Sequence, residues 1–224
     1  MRNVIAGIII VIAIGAVLAA LFRPSTFDFM NRQDMTPVSD DTTDDMLDET
    51  DMPIDGETDA TSPIDRAKER VTKKPFGILI DPVTSPVQPE RFRGYHTGTD
   101  FEAFPEELQA DVPIRAMCMG AIIVKRHVAG YGGVIVQRCD ISGEPVTVLY
   151  GHLALSSITP NLGDAIDKGS EIGLLGADKS PDTDGERKHL HLGVHRGTDV
   201  DTRGYVDKEQ ALFEWIDPCA IVCQ

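Results

Sequence analysis

From Pro75 onward, glycine and proline interrupt short runs of β-branched residues, and this pattern limits the possible folds more than any other feature of the chain. Each run has the length of a β-strand and is bounded by residues that favour turns. The pattern predicts a mostly β domain with an antiparallel sheet, since tight turns join strands that pair directly. Short helices are expected only at residues 105–110 and 208–216. The predicted strands are residues 78–80, 121–126, 134–139, 146–150, 171–175 and 189–194.

The N-terminus carries an uncharged apolar run, residues 4–22. At about 1.5 Å per residue, a helix of this length spans a hydrocarbon core of roughly 30 Å. We therefore expect residues 1–23 to be a single-pass anchor in the cytoplasmic (inner) membrane. Arg2 precedes the run and an acidic segment follows it, which predicts a cytoplasmic N-terminus and a periplasmic or extracellular domain. The alternative is a cleaved signal peptide and secretion, although the run exceeds the usual apolar core of about 7–15 residues.

Residues 24–74 are acidic and lack apolar periodicity. From Asp28 to Asp65 there are thirteen acidic residues and one basic residue, which account for −12 of the formal net charge of −15. Such a segment buries too little apolar surface to offset its ordering entropy, so we expect a disordered linker. Residues 75–224 are the predicted globular domain. They form no basic stripe, which argues against nucleic acid as a partner.

All four cysteines lie in the predicted globular domain. An even number in a chain that leaves the cytoplasm suggests disulfides. Cys118 and Cys139 close neighbouring predicted strands, and Cys219 and Cys223 are close together near the end, which favours 118–139 and 219–223 pairing. Three connectivities are possible, and the sequence alone does not choose among them.

Two histidine motifs carry the candidate chemistry. His96 and Asp100 are four residues apart around Gly98, so one bent segment can direct an imidazole and a carboxylate at the same ion. In the His189-Leu-His191 motif, the alternation of a strand puts both histidines on one face and the aliphatic residues on the other. Taken singly, the first motif is more typical of a loop with a surface histidine and a solvated aspartate, and the second of a half-exposed strand with solvated imidazoles.

Two further histidines stand at strand ends. His152 closes the predicted strand 146–150, and in isolation its pattern fits a turn residue with its ring in water. His195 continues the parity of His189 and His191 and is expected at the strand end or at the rim of a groove. A helical zinc pair of His191 and His195 is disfavoured because the glutamate of such a motif is missing and Gly193 opposes a helix.

The order of the motifs is more specific than any one of them. It resembles the order in the lysostaphin-like, LytM-type peptidoglycan zinc metalloendopeptidases, and the resemblance covers residues 94–196. The segments, in chain order, are His96-Thr-Gly-Thr-Asp100, Gly130-Tyr131-Gly132-Gly133, Tyr150-Gly151-His152, residues 163–173 and His189-Leu190-His191.

The resemblance implies an antiparallel β-sheet fold with a narrow groove and an endopeptidase that hydrolyses peptide bonds of peptidoglycan. It implies one Zn²⁺ ion per domain, bound by His96, Asp100 and His191, with His152 and His189 as the catalytic histidines. Three protein ligands leave a position for water, as catalytic zinc sites do. One of His152 and His189 is then expected to accept the proton of that water and the other to hydrogen-bond the tetrahedral intermediate. The resemblance does not say which of the two histidines has which role.

The chain departs from the family pattern at two places. Glu186-Arg187-Lys188 stands where the family has a Gly-Pro turn, and Leu192 replaces an aromatic residue. Both departures bear on the groove wall and thus on substrate preference.

Two other functions remain as alternatives. A catalytically silent wall-binding or hydrolase-activating module of the same fold would lack ligand or catalytic positions, and this chain keeps all five. A lipoyl- or biotinyl-carrier hairpin around Lys179 would leave the histidines unexplained.

Overall fold

The computed structural model describes residues 59–224. The predicted anchor, residues 1–23, and residues 24–58 of the predicted linker lie outside this range. Among the described residues, no helix combines the length and apolar character needed to cross a membrane. The described chain is mostly β, as the sequence predicts.

Twelve strands lie within residues 59–224: β1 (Leu79–Ile80), β2 (Gly94–His96), β3 (Gly98–Glu102), β4 (Pro113–Arg115), β5 (Gly120–Val128), β6 (Gly132–Ile141), β7 (Glu144–Leu153), β8 (Ala165–Ile166), β9 (Glu171–Leu174), β10 (His189–Arg196), β11 (Tyr205–Val206) and β12 (Trp215–Ile216). All six predicted strands are confirmed. The same part contains the α-helices α1 (Ala67–Arg70) and α2 (Pro218–Val222) and 3-10 helices at Pro105–Glu107, Leu155–Ser157, Pro181–Thr183 and Glu209–Glu214. Both predicted helical stretches therefore form 3-10 helices, whereas α1 and α2 were not predicted.

The central feature is a seven-stranded antiparallel sheet. Its strand order is β12-β10-β7-β6-β5-β8, and β3 also pairs with β10. The turns between β5 and β6 and between β6 and β7 are those expected from their glycines, and Gly130 and Gly143 have φ of 89° and 80°. Strands β1, β2 and β11 form a separate three-stranded sheet, and β4 pairs with β9.

One face of the sheet is fixed by aliphatic packing. In β10, Leu190, Leu192 and Val194 are fully buried in the main hydrophobic core. Burial of three such side chains stabilises the fold by about 1.5–3 kcal/mol each, so the position of the strand is strongly constrained. His189 and His191 occupy the opposite face of β10, as the alternation predicts, and they are also buried. The alternative of a half-exposed strand with solvated imidazoles is therefore wrong.

Residues 59–74, assigned to the disordered linker by the sequence, instead pack against the domain. Ile64 and Ala67 are buried in the main core, so this segment removes apolar side chains from water when it packs. Arg70 is only 2% exposed and makes a two-pronged ion pair with Glu107 at 2.6 and 2.7 Å. The ordered domain thus begins before the boundary at residue 75 that composition suggested.

Both favoured disulfides are present. Cys118 is bonded to Cys139, and Cys219 to Cys223, so all four cysteines are paired. The first bridge joins the segment before β5 to β6, and the second closes the C-terminal helix α2.

Candidate active site

The site is built on the pairing of β3 with β10. In this antiparallel register His191 lies opposite Asp100, and His189 lies opposite Glu102. Directly opposed residues of paired strands point to the same face, so these four side chains cluster there. His96 joins them from the end of β2, which a single residue, Thr97, separates from the start of β3.

Three potential ligand atoms meet at this point. His96 Nε2 is 3.1 Å from His191 Nδ1 and 3.2 Å from Asp100 Oδ1, and His191 Nδ1 is 3.1 Å from the same oxygen. All three residues are buried, with exposures of 0%, 2% and 4% for His96, Asp100 and His191. Their geometry could hold a metal ion. The structure therefore brings together the ligand set expected from the sequence.

Gly98 permits this close approach of β3 to β10. A Cβ atom at Gly98 would lie 2.4 Å from the carbonyl oxygen of Leu192 and 2.6 Å from Nε2 of His191. No side chain fits in that space. The absence of a side chain at Gly98 is therefore required for the His191 ring to occupy its position.

Hydrogen bonds on the outer nitrogens orient both ligand histidines. Nδ1 of His96 is 3.2 Å from the carbonyl oxygen of Pro75, so Nδ1–H is the donor and Nε2 keeps its lone pair. Nε2 of His191 is 3.3 Å from the hydroxyl of Tyr131. This contact leaves Nδ1 of His191 directed at Asp100 and His96.

The charge states of the cluster suit metal binding. Burial lowers the pKa of His191 to about 4, despite the opposing hydrogen bond to Asp100, so this imidazole is neutral at pH 7. Burial alone would raise the pKa of Asp100, but His189 and His96 and the hydrogen bonds from His189 and His191 hold it well below its usual range. The site therefore presents a carboxylate beside a neutral imidazole.

His152 reaches the site through a β-bulge. The register between β6 and β7 shifts between Gly133 and Val134, so that His152 has no direct partner in the ladder. Its φ of 63° lies in the left-handed region, which histidine adopts more readily than most residues. The bulge turns the ring into the cleft, 4.2 Å from the ring of His189. Nδ1 of His152 is buried and has no hydrogen-bond partner within residues 59–224.

His152 and His189 differ in their surroundings. Burial, with a further contribution from His189, holds the pKa of His152 well below its ordinary value. Both ring nitrogens of His189 have protein partners, since its Nδ1 is 2.8 Å from the carbonyl oxygen of Arg187 and its Nε2 is 3.3 Å from Asp100 Oδ2. Both predicted catalytic histidines thus line the cleft together with Asp100 and His191.

The sequence did not identify three other residues at the site. The sequence places Tyr131 only in a glycine-rich turn and gives no signal for Tyr205. Arg187 belongs to the segment that departs from the family pattern, but the sequence does not predict its contact with Asp100. A tyrosine within a Gly-Tyr-Gly-Gly turn was a usable signal for Tyr131. The contacts of the other two depend on long-range pairing.

His195 lies apart from this cleft. It packs edge-on against Trp215 at the β12 edge and falls near Asp201 and Glu214. Arg203 pairs with both of these carboxylates. The expectation of a strand-end position is confirmed, whereas His195 does not line the cleft that is lined by Asp100, His152, His189 and His191.

The fold and site define a class of protein: an antiparallel β-sheet domain in which two histidines and one carboxylate lie close enough together to hold a metal ion. Residues 94–202 match the family model of peptidase family M23. This part of the chain belongs to that peptidase family, and the lysostaphin-like resemblance is confirmed. No curated protein sequence matches the chain.

Several solved structures are similar to the chain. The catalytic domain of the antimicrobial peptidase lysostaphin from Staphylococcus simulans is 18% identical, with 70% of this chain and 95% of that chain covered and a TM-score of 0.47. Helicobacter pylori Csd3 is 24% identical, with coverage of 66% and 35% and a TM-score of 0.42. A zinc containing peptidase from Vibrio cholerae is 25% identical, with coverage of 62% and 40% and a TM-score of 0.42. The family assignment rests on the match over residues 94–202.

Proposed function

We propose that this protein is a zinc-dependent endopeptidase that hydrolyses peptide bonds of peptidoglycan. The observation that carries the proposal is the triangle of His96 Nε2, His191 Nδ1 and Asp100 Oδ1, with edges of 3.1–3.2 Å. Ligands of a tetrahedral zinc at its usual bond lengths are separated by about 3.3 Å, which matches these edges. Two imidazoles and one carboxylate are also a donor set of catalytic zinc sites.

Zinc held by these residues would supply Lewis-acid chemistry, polarising the scissile carbonyl and acidifying a water molecule. The protein's own groups must then move the protons. His152, neutral and with Nδ1 unbonded among the described residues, is suited to accept one. The hydrogen bond between Nδ1 of His189 and the carbonyl oxygen of Arg187 fixes the orientation of the His189 ring. His189 is therefore suited to hydrogen-bond the tetrahedral intermediate.

The family and the sequence support a proposal for the substrate and the location. Peptidoglycan lies outside the cytoplasmic membrane, and the apolar run at residues 4–22 followed by an acidic linker would hold the domain there. The disulfides support the same placement, because such bonds persist in oxidising compartments. We therefore propose a single-pass membrane protein with its peptidase domain facing the wall.

Metal content and hydrolysis of full-length protein in detergent test the proposal together. The wild type should contain one zinc per chain and release peptide fragments from defined peptidoglycans, as measured by mass spectrometry. His191→Ala should lose the zinc and the activity. His152→Ala and His189→Ala should keep the zinc but lose about 10²–10⁴-fold in turnover, the usual contribution of general acid–base catalysis.

His127→Ala is the matched control, since His127 is exposed on β5 and should change neither quantity. A wild-type protein without zinc would refute the proposal. A protein that binds zinc and wall fragments but cleaves nothing would instead be the silent, hydrolase-activating module.

A further inference from the structure

Arg187 lies just before β10 and reaches across to β3. Its Nη2 donates to Asp100 Oδ2 at 2.8 Å, and Nε and Nη2 contact both carboxylate oxygens of Glu102 at 2.6–3.0 Å. The side chain is only 12% exposed. A guanidinium that forks onto one carboxylate has a fixed plane and direction. Glu102 therefore fixes the orientation of the Arg187 guanidinium, and Arg187 in turn donates a hydrogen bond to Asp100.

The backbone on either side of Arg187 is also held. The amide of Lys188 donates to Asp178 at 3.0 Å, and Nζ of Lys188 donates to the carbonyl oxygens of Glu107 and Ala110. The carbonyl of Arg187 itself receives the bond from His189. The guanidinium is thus part of a rigid support and is not a free surface group.

The two oxygens of Asp100 have different partners. Oδ1 faces His96 Nε2 and His191 Nδ1, the other members of the ligand triangle. Oδ2 faces Arg187 Nη2 at 2.8 Å and His189 Nε2 at 3.3 Å. For Asp100 to offer both oxygens to one ion, the carboxylate would have to turn and break the bond to Arg187.

We propose that Arg187 is a positioning residue that restricts Asp100 to binding the metal through one oxygen. The inference rests on the proposed function, since it concerns the same metal site. A second carboxylate oxygen would occupy a coordination position that a catalytic site reserves for water or substrate. Arg187 prevents this by holding Oδ2 in a charge-assisted hydrogen bond, and Glu102 keeps the guanidinium in place.

The test measures metal coordination and affinity directly. Full-length protein is stripped of metal, loaded with Co²⁺ for visible absorption spectra, and titrated with Zn²⁺ against a competing chelator. Arg187→Gln removes the charge and the fork. We expect its Co²⁺ spectrum to weaken from the strong bands of four-coordinate cobalt to the weak bands of five-coordinate cobalt. Zinc affinity should fall by about 10–100-fold, as for other groups that orient metal ligands.

Two further variants separate charge from geometry. Arg187→Lys keeps a positive charge but cannot fork onto Glu102 while holding Asp100, so we expect the same spectral change to a smaller degree. Arg196→Gln is the matched control. Arg196 belongs to β10 and pairs with exposed Glu144 at 2.7 Å, outside the metal site, and its loss should leave the spectrum and affinity unchanged.

A four-coordinate spectrum and wild-type zinc affinity in Arg187→Gln would overturn the inference. If that variant does not fold, Glu102→Gln decides in its place, because it removes the anchor alone, and an unchanged spectrum there would overturn the inference as well. The proposed function fails separately: in that case the wild-type protein itself binds neither zinc nor cobalt.

Discussion

Replacement of Gly98 by alanine tests whether the spacing between β3 and β10 sets the metal site. The new Cβ would lie 2.4 Å from the carbonyl oxygen of Leu192, 2.6 Å from Nε2 of His191 and 2.8 Å from its Cε1. Contacts under 3.0 Å are essentially never seen for real Cβ atoms, so the strand must move by about 0.6 Å and the ring by about 0.4 Å. Overpacking of this kind costs about 1–3 kcal/mol of stability.

The larger consequence falls on function. His191 Nδ1 is one corner of a ligand triangle whose sides are 3.1–3.2 Å, so a shift of its ring lengthens two of the three sides. A misplacement of about 1 Å in a catalytic group reduces turnover by about 10²-fold, and we expect a loss approaching that value, together with weaker zinc binding. Zinc content, the rate of wall hydrolysis and the free energy of unfolding are measured for Gly98→Ala and for the wild type.

Gly193→Ala is the matched control for Gly98→Ala. Gly193 lies opposite Gly98 in the ladder, and neither glycine has a positive φ. A Cβ there would first meet the ring edge of Trp215 at 3.3 Å, which a small side-chain adjustment relieves. Gly193→Ala should keep both zinc and turnover. Gly98→Ala with wild-type zinc affinity and turnover would refute the reasoning, whatever its stability.

Two further predictions concern stability. Because burial lowers the pKa of His191 to about 4, the unfolded chain, with its pKa near 6.5, binds this proton more readily than the native state does. The metal-free protein should therefore be most stable above pH 6.5 and lose about 2 kcal/mol between pH 7 and pH 5 in urea unfolding, and an equal loss in His191→Gln would contradict this. Replacing Cys118 and Cys139 by alanine, which opens a link between residues 21 apart, should cost about 3 kcal/mol by loop entropy. The shorter 219–223 link should cost about 2 kcal/mol, and a larger loss there would count against the entropic explanation.

The strands and the faces of β10 were predictable because they depend on local pattern. Alternation alone placed His189 and His191 on the face opposite Leu190 and Leu192, and the structure confirms it. Alternation could not say which histidine faces the ligand triangle. That distinction comes from the register of β3 against β10, which puts His191 opposite Asp100 and His189 opposite Glu102. Register between strands so distant in sequence requires the folded structure or a known family.

The features that the sequence did not predict depend on contacts between residues that are distant in the chain, or were obscured by the overall composition of a segment. The composition of residues 24–74, taken as a whole, is acidic and gives no sign that Ile64 and Ala67 pack into the core. The left-handed backbone of His152 depends on a bulge opposite Gly133, and no local turn signal encodes it. Arg187 meets Asp100 across 87 residues of sequence. Each of these contacts exists only once the sheet has formed.

The site also explains how a carboxylate is held in the interior. Asp100 is only 2% exposed, and a buried charge without partners would cost several kcal/mol. Arg187 and the surrounding imidazoles offset that cost, while Glu102 balances the charge of Arg187 and is itself buried, with Lys73 as a further ion-pair partner. The donor triangle is therefore stabilised by the protein's own charges, with the aliphatic face of β10 fixing its backbone. A substitution that shortens Leu192 leaves a cavity under β10, and the backbone of β10 can shift into it. Because His191 is the neighbouring residue of the same strand, such a shift also displaces its ring from Asp100.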